Sequence, residues 1–194
     1  MTRLVLVRHA EPSEEVRGRC YGSLDVGLSA AGRLQAHQLV ARLADIDCDA
    51  VVTSPRLRAR ETARPFAAAR GVECSTDERL REIDFGTFEG RTYEEIELSE
   101  PMLFREWMES PATVRFPGGE SYVDLRHRAL AVLDELRSRH ATAVVVTHGG
   151  VIRAGLAAWL ELPDHAIFRL DQSYCGITIV EWLGSEPVVR TLNG

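Results

Sequence analysis

Leu4-Val5-Leu6-Val7-Arg8-His9-Ala10-Glu11 decides the fold. Four apolar residues run without a polar interruption and then give way at once to Arg-His. An unbroken apolar run of this length reads as a strand buried on both faces, as in a parallel sheet covered by helices. Polar residues directly after it stand at the strand's carboxyl end, where open α/β sheets place their ligands. The same pattern returns in Ala50–Thr53, followed by Ser54-Pro55 and, one turn on, Arg58, and again in Ala143–Thr147, followed by His148-Gly149-Gly150. Helical patterns fill the intervals. Ser29 suits the cap of a helix to about Ile46, with Leu34, Leu39, Leu43 and Ile46 near helical spacing. Ser54-Pro55 reads as an N-cap with proline at the first helical position, and Gly71 as the stop of a helix to about Arg70. Residues 80–92 are glycine-punctuated and read as loop; 92–110 read as one or two short helices broken at Pro101 and Pro111. Pro117-Gly118-Gly119 is a turn. Ser121 caps a helix ending near His140, and Gly149-Gly150 opens one to about Leu160. Ile177–Trp182 and Val188–Leu192 form a last pair of strands. The alternation predicts an α/β fold: a three-layer α/β/α sandwich with a mainly parallel central sheet, in one domain over 1–194, with about 84–120 as a small helical cap insertion.

The composition narrows the function. The chain has 194 residues, a net charge of −6 and a pI near 5.6, which argues against a nucleic-acid binder and supplies no basic patch for a membrane surface. Its basic residues are all arginine; without lysine there is no Schiff-base chemistry and no Walker A site. Cys20, Cys48, Cys74 and Cys175 are too scattered for a zinc or redox pair and fit a reducing compartment. The amino terminus lacks the apolar length of a signal peptide, and no run is long enough to span a membrane, so the expectation is a cytoplasmic protein.

A parallel sheet brings the three strand ends to one edge, and with them two histidines and at least two arginines. Two histidines with a carboxylate such as Glu82 could bind iron, but Arg8 and Arg58 would set two permanent positive charges beside the cation. The arginines favour an anion, phosphate before carboxylate. Helix N-termini after Ser54 and His148 would add oriented N–H donors. A neutral imidazole can attack phosphorus directly, and a carboxylic acid can protonate the departing oxygen.

These motifs resemble the histidine phosphatase, or phosphoglycerate mutase-like, superfamily. Arg8-His9-Ala10-Glu11 resembles its Arg-His-Gly signature, Ser54-Pro55-Arg56-Leu57-Arg58-Ala59-Arg60-Glu61-Thr62-Ala63 its second block, Leu80–Gly90 its acidic block, and Val146-Thr147-His148-Gly149-Gly150 its second-histidine block, all in the family's order. The resemblance implies that His9 is the nucleophile that becomes phosphohistidine. It implies that Arg8, Arg58 and His148, with Gly149, hold the phosphoryl oxygens, and that Glu82 is the proton donor, with Asp84 its rival. It implies no metal and no organic cofactor. Ala10 departs from the usual glycine, Val16 stands where asparagine is usual and Glu61 where glutamine is frequent. Cys20 lacks the phosphate loop of a cysteine nucleophile. The short segment between Gly90 and Phe116, and a chain ending soon after the last strand, leave little to cover the site. A phosphatase is therefore expected over the alternative, a cofactor-dependent phosphoglycerate mutase. Gly18–Asp25 resembles alpha-ribazole phosphatase-like members, which places Tyr21 and Gly22 in the substrate pocket. The expected partner is a small phosphorylated metabolite such as alpha-ribazole phosphate, with a homodimer as the assembly to test. A non-catalytic phospho-ligand or protein-binding module is the reading of a different class; the intact catalytic set speaks against it.

Overall fold

The computed structural model describes residues 2–194. Six strands form one sheet: β1 (Thr2–Arg8), β2 (Ala50–Thr53), β3 (Cys74–Thr76), β4 (Thr142–Thr147), β5 (Ile177–Leu183) and β6 (Glu186–Thr191), in the order β3-β2-β4-β1-β5-β6. The first four in that order run parallel, while β5 and β6 add an antiparallel margin. The helices are α1 (Ala30–Arg42), α2 (Leu57–Arg70), α3 (Tyr93–Ser99), α4 (Pro101–Glu109), α5 (Tyr122–Arg139) and α6 (Gly149–Trp159).

The alternating direction of side chains along a strand makes the three layers. Leu4 and Leu6 of β1 face a core shared with Leu125 and Leu133 of α5 and Ile152 of α6. Val5 and Val7, between them, face the opposite core with Leu39 of α1 and Phe66 of α2. Both sets are fully buried, which is why β1 carries no polar alternation. The register pairs Arg8 of β1 with Thr147 of β4, and Thr53 of β2 with Val146 of β4, so the three carboxyl ends lie side by side. α3 and α4, with the turn Gly86–Phe88, close over a third core built on Phe88, Ile96, Trp107 and Phe116. No helix among the described residues is long and apolar enough to cross a membrane.

The expected elements are all present, with some boundaries moved. α1 ends at Arg42 rather than Ile46, although Leu43 and Ile46 still pack on the core. β6 starts at Glu186. The edge strand β3 was not expected, because its Ser75 and Thr76 are polar and exposed. The start of α2 needs correction. Arg56, not Ser54, occupies the N-cap, and its side chain makes no capping bond. Instead Asp25, from the loop before α1, accepts a hydrogen bond from the Leu57 amide at 2.7 Å. Ser54 is turned to another use.

Candidate active site

His9 directly follows β1 and is nearly inaccessible to solvent. Its Nδ1 lies 2.8 Å from the carbonyl oxygen of Ala10. A carbonyl only accepts, so Nδ1 carries the proton and Nε2 keeps a free lone pair. Burial, foremost, and the charges of Arg58 and Arg8 hold the imidazole pKa well below its ordinary value, so His9 is neutral near pH 7. The Ala10 amide donates to Thr62 Oγ1 at 2.9 Å, and that hydroxyl donates to the Arg58 carbonyl at 2.6 Å, tying the His9 loop to α2.

His148 takes the N-cap position of α6 and is completely buried. Its ring centroid is 5.1 Å from that of His9, and its Nε2 is 2.7 Å from Ser54 Oγ. This is the use to which Ser54 is turned. Burial, then Arg58, keeps His148 neutral as well.

The arginines are fixed by carbonyls. Arg58, fully buried in the first turn of α2, donates to Leu24 O at 2.7 Å and Gly22 O at 2.9 Å. Arg8 donates to the carbonyl of Gln172 and packs 4.3 Å from the Tyr174 ring centroid. Carbonyl partners orient a guanidinium without neutralising it, so both charges remain available to an anion. Arg8 Nε, Arg58 Nε and His148 Nδ1 are buried without a hydrogen-bond partner. Three such groups around one histidine are costly in a folded protein and mark the seat of a polar ligand.

Glu82 faces this set. Its carboxylate accepts from the Ile83 amide at 3.0 Å and, through the other oxygen, from the Gly150 amide at 3.1 Å. Its loop is clamped by Arg128, which donates to the carbonyls of Arg79 at 2.9 Å and Glu82 at 3.0 Å and pairs with Glu120 at 2.7 Å. Asp84 is engaged elsewhere: its carboxylate accepts from the Gly86 amide at 2.8 Å, closing a turn. Gly149 lies between Arg8 and Arg153; a Cβ there would sit 3.8 Å from Arg8 Nε and 3.0 Å from Arg153 Nη1.

Tyr21 and Gly22 line, with His9 and Glu82, a cavity of about 120 Å³. Gly22 is forced to be glycine, because a Cβ would lie 1.7 Å from the Ile83 carbonyl oxygen. A second cavity of about 290 Å³ adjoins it across Glu82, Phe85 and Tyr93. Cys20 is inert: burial, then the Glu89 charge, pushes its thiol up to about 12. Among the described residues no group of three or more His, Cys, Asp or Glu is arranged to hold a metal ion.

The structure thus brings together all the residues expected from sequence. It adds Arg128, Arg153 and Tyr174, which sequence reasoning passed over, and Ser54, which it read as a helix cap. Arg153 had a signal: it lies one helical turn after Gly149, on the helix that His148 opens. Tyr174 and Arg128 had none, since they reach the site from distant segments.

The profile of the histidine phosphatase superfamily (branch 1) matches residues 4–194. The chain is 40% identical over 195 residues to phosphoserine phosphatase 1 of Hydrogenobacter thermophilus, covering 100% of this chain and 92% of that one. It superposes with a TM-score of 0.90 and 31% identity on a mycobacterial glucosyl-3-phosphoglycerate phosphatase solved with VO3, covering 100% of both chains. An alpha-ribazole phosphatase from Shigella flexneri has the same fold, with a TM-score of 0.90, at 24% identity over 100% of this chain and 96% of that one.

Proposed function

From the membership of this chain in the histidine phosphatase superfamily, we propose that it is a metal-independent phosphomonoesterase acting on a small phosphorylated metabolite through a phosphohistidine. One observation carries the reading: His9 offers a free Nε2 lone pair beside Arg8, Arg58 and His148, with the Glu82 carboxyl across the same cavity.

In the first half-reaction His9 Nε2 attacks phosphorus and the phosphorus–ester oxygen bond breaks. Glu82, in its acid form, gives its proton to the departing oxygen, and the alcohol leaves. Arg8, Arg58, His148 and the amino-terminal end of α6 at Gly149 hold the three equatorial oxygens, where charge is spread in the transition state. In the second half-reaction water attacks phosphorus and gives a proton to Glu82. The nitrogen–phosphorus bond breaks, freeing inorganic phosphate and neutral His9. The buried, neutral histidine needs no prior deprotonation, and the fixed arginines need no reorganisation.

A small phosphorylated metabolite is in keeping with the relatives, whose names include phosphoserine and glucosyl-3-phosphoglycerate phosphatases. The four unpaired thiols support a cytoplasmic setting, and light scattering reads the oligomeric state, for which a homodimer is the expectation. The test is a panel of phosphomonoesters in EDTA, including p-nitrophenyl phosphate, phosphoserine, 3-phosphoglycerate and alpha-ribazole phosphate, followed by phosphorus NMR. Inorganic phosphate from the wild type, and none from His9→Ala, supports the reading. Isomerised phosphoglycerate with little free phosphate assigns the mutase reaction instead. No phospho-enzyme and no product from any ester leaves the non-catalytic module standing.

A further inference from the structure

The larger cavity adjoining the site is built unlike the smaller one. Phe85, Tyr93, Trp107, Tyr122 and Phe168 line it as an aromatic cage of about 290 Å³, and the reacting side is marked by Glu82 and Gly150. Besides Glu82, the Arg153 guanidinium and the Tyr122 hydroxyl stand in its wall. The Arg153 guanidinium makes one hydrogen bond, from Nε to the Leu170 carbonyl at 2.8 Å, and no carboxylate lies within 4.0 Å of it among the described residues. It lies over the Phe168 ring, 5.7 Å from the centroid. The Tyr122 hydroxyl is buried without a partner, in a residue only 4% exposed. A half-buried guanidinium that feels the Glu82 charge but has no carboxylate within 4.0 Å, and an orphaned hydroxyl, both in a mainly aromatic wall, are an anion-binding pair on the side of the pocket away from a direct ion pair.

We infer that this cavity receives the alcohol portion of the substrate, and that the substrate is a phosphomonoester of an aromatic alcohol carrying a carboxylate, which Arg153 and Tyr122 hold while the ring packs on the cage. The inference rests on the proposed phosphatase reaction for the placing of the phosphate at His9. The spacing favours a carboxylate close to the ester: Arg153 and Arg8 both approach Gly149, so the two anionic groups of one small molecule can be gripped at once. A planar ring suits the cage, and planar bidentate recognition suits arginine over a point charge. Arg153 and Tyr122 are therefore specificity residues for the leaving group, distinct in role from the phosphoryl-binding arginines.

The experiment compares 3-carboxyphenyl phosphate with phenyl phosphate and O-phosphoserine. The wild type is expected to prefer the carboxylated aryl ester over phenyl phosphate in kcat/KM by about tenfold or more, the effect of one charge-assisted hydrogen bond. In Arg153→Met this ratio collapses toward one, and Tyr122→Phe lowers it by a smaller factor. A wild-type ratio near one, or a ratio that Arg153→Met leaves intact, overturns the carboxylate site. An equal fall for both aryl esters in Arg153→Met makes Arg153 a phosphoryl-binding residue and also overturns it. O-Phosphoserine hydrolysed as well as 3-carboxyphenyl phosphate overturns the aromatic half. Calorimetric Kd values of the two aryl esters on His9→Ala give the same ratio without turnover, so a failed phosphatase reaction and a failed specificity site are told apart.

Discussion

His9 is poised by its neighbour's carbonyl and Glu82 by an absent side chain. The Gly150 amide holds one carboxylate oxygen at 3.1 Å, and a Cβ on Gly150 would lie 2.2 Å from the other. Gly150→Ala should therefore displace the carboxylate while leaving the helix intact, since the clash is with the mobile end of a side chain and alanine is the better helix former by about 1 kcal/mol. Expected is a fall in kcat of about tenfold or more on alkyl phosphates, within the range of a lost general acid. The fall is smaller on p-nitrophenyl phosphate, whose leaving group needs no proton, and Tm is undiminished. An equal loss on both esters removes Glu82 from the acid role. That His9, Arg8, Arg58, His148 and Glu82 gather at one edge was legible not from any one of them, since each alone has an ordinary structural reading, but from their coincidence at three strand ends and in ordered motifs. Ser54 was misread, because serine before proline is an ordinary helix start and nothing local shows that its hydroxyl is claimed by His148. Tyr122 was hidden too, as the first residue of a helix, where an aromatic reads simply as core.

At the scale of elements, the proposed phosphate grip depends on the loop that holds Arg58 in place. Gly22 and Leu24 supply the carbonyls that hold Arg58, and Asp25, at the end of the same loop, caps α2 through the Leu57 amide. Arg58 sits in the first turn of that helix, so one carboxylate fixes both the guanidinium's platform and its partners. Asp25→Ala should cost about 1 kcal/mol of stability, the worth of a cap, and weaken the binding of inorganic phosphate several-fold. Asp25→Asn, which keeps the accepting oxygen, should restore both. Thermal unfolding and phosphate titration read the pair; failure of asparagine to rescue would shift the role from hydrogen bonding to charge. The helices Ala30–Arg42, Tyr122–Arg139 and Gly149–Trp159 were legible from their caps and periodicity, the first read on past Arg42 to about Ile46. The partnership of Asp25 with α2 was not, because 32 residues separate the two and capping rules read only adjacent sequence. β3 escaped for the same kind of reason: its pairing with β2 is long-range and its three residues carry no apolar signal.

Across the whole molecule, His9 and His148 are buried where β1 and β4 end, so protonating either one in place sets a charge in the interior of the fold. In the unfolded chain each titrates near 6.5; in the folded chain burial first, and Arg58 next, holds each well below that value. Above pH 6.5 both states leave the imidazoles neutral and no stability is lost. As pH falls below 6.5 the unfolded chain takes up protons that the folded chain refuses, so stability declines toward the depressed folded values. The slope for two such groups is at most about 2.7 kcal/mol per pH unit, which at about 2–4 °C per kcal/mol is a steep fall in Tm. Thermal unfolding from pH 8 to 5.5 in a phosphate-free buffer should show a plateau and then this decline. Phosphate or vanadate should make it shallower, because an anion between the arginines offsets the electrostatic part of the depression, the lesser part after burial, and should raise the whole curve by mass action. His148→Gln should roughly halve the slope, since one refused proton is gone. A double variant, His9→Gln with His148→Gln, that declines as steeply as the wild type would assign the loss to other groups. In that case the neutral, buried imidazole on which the proposed phosphohistidine chemistry depends would have no thermodynamic signature.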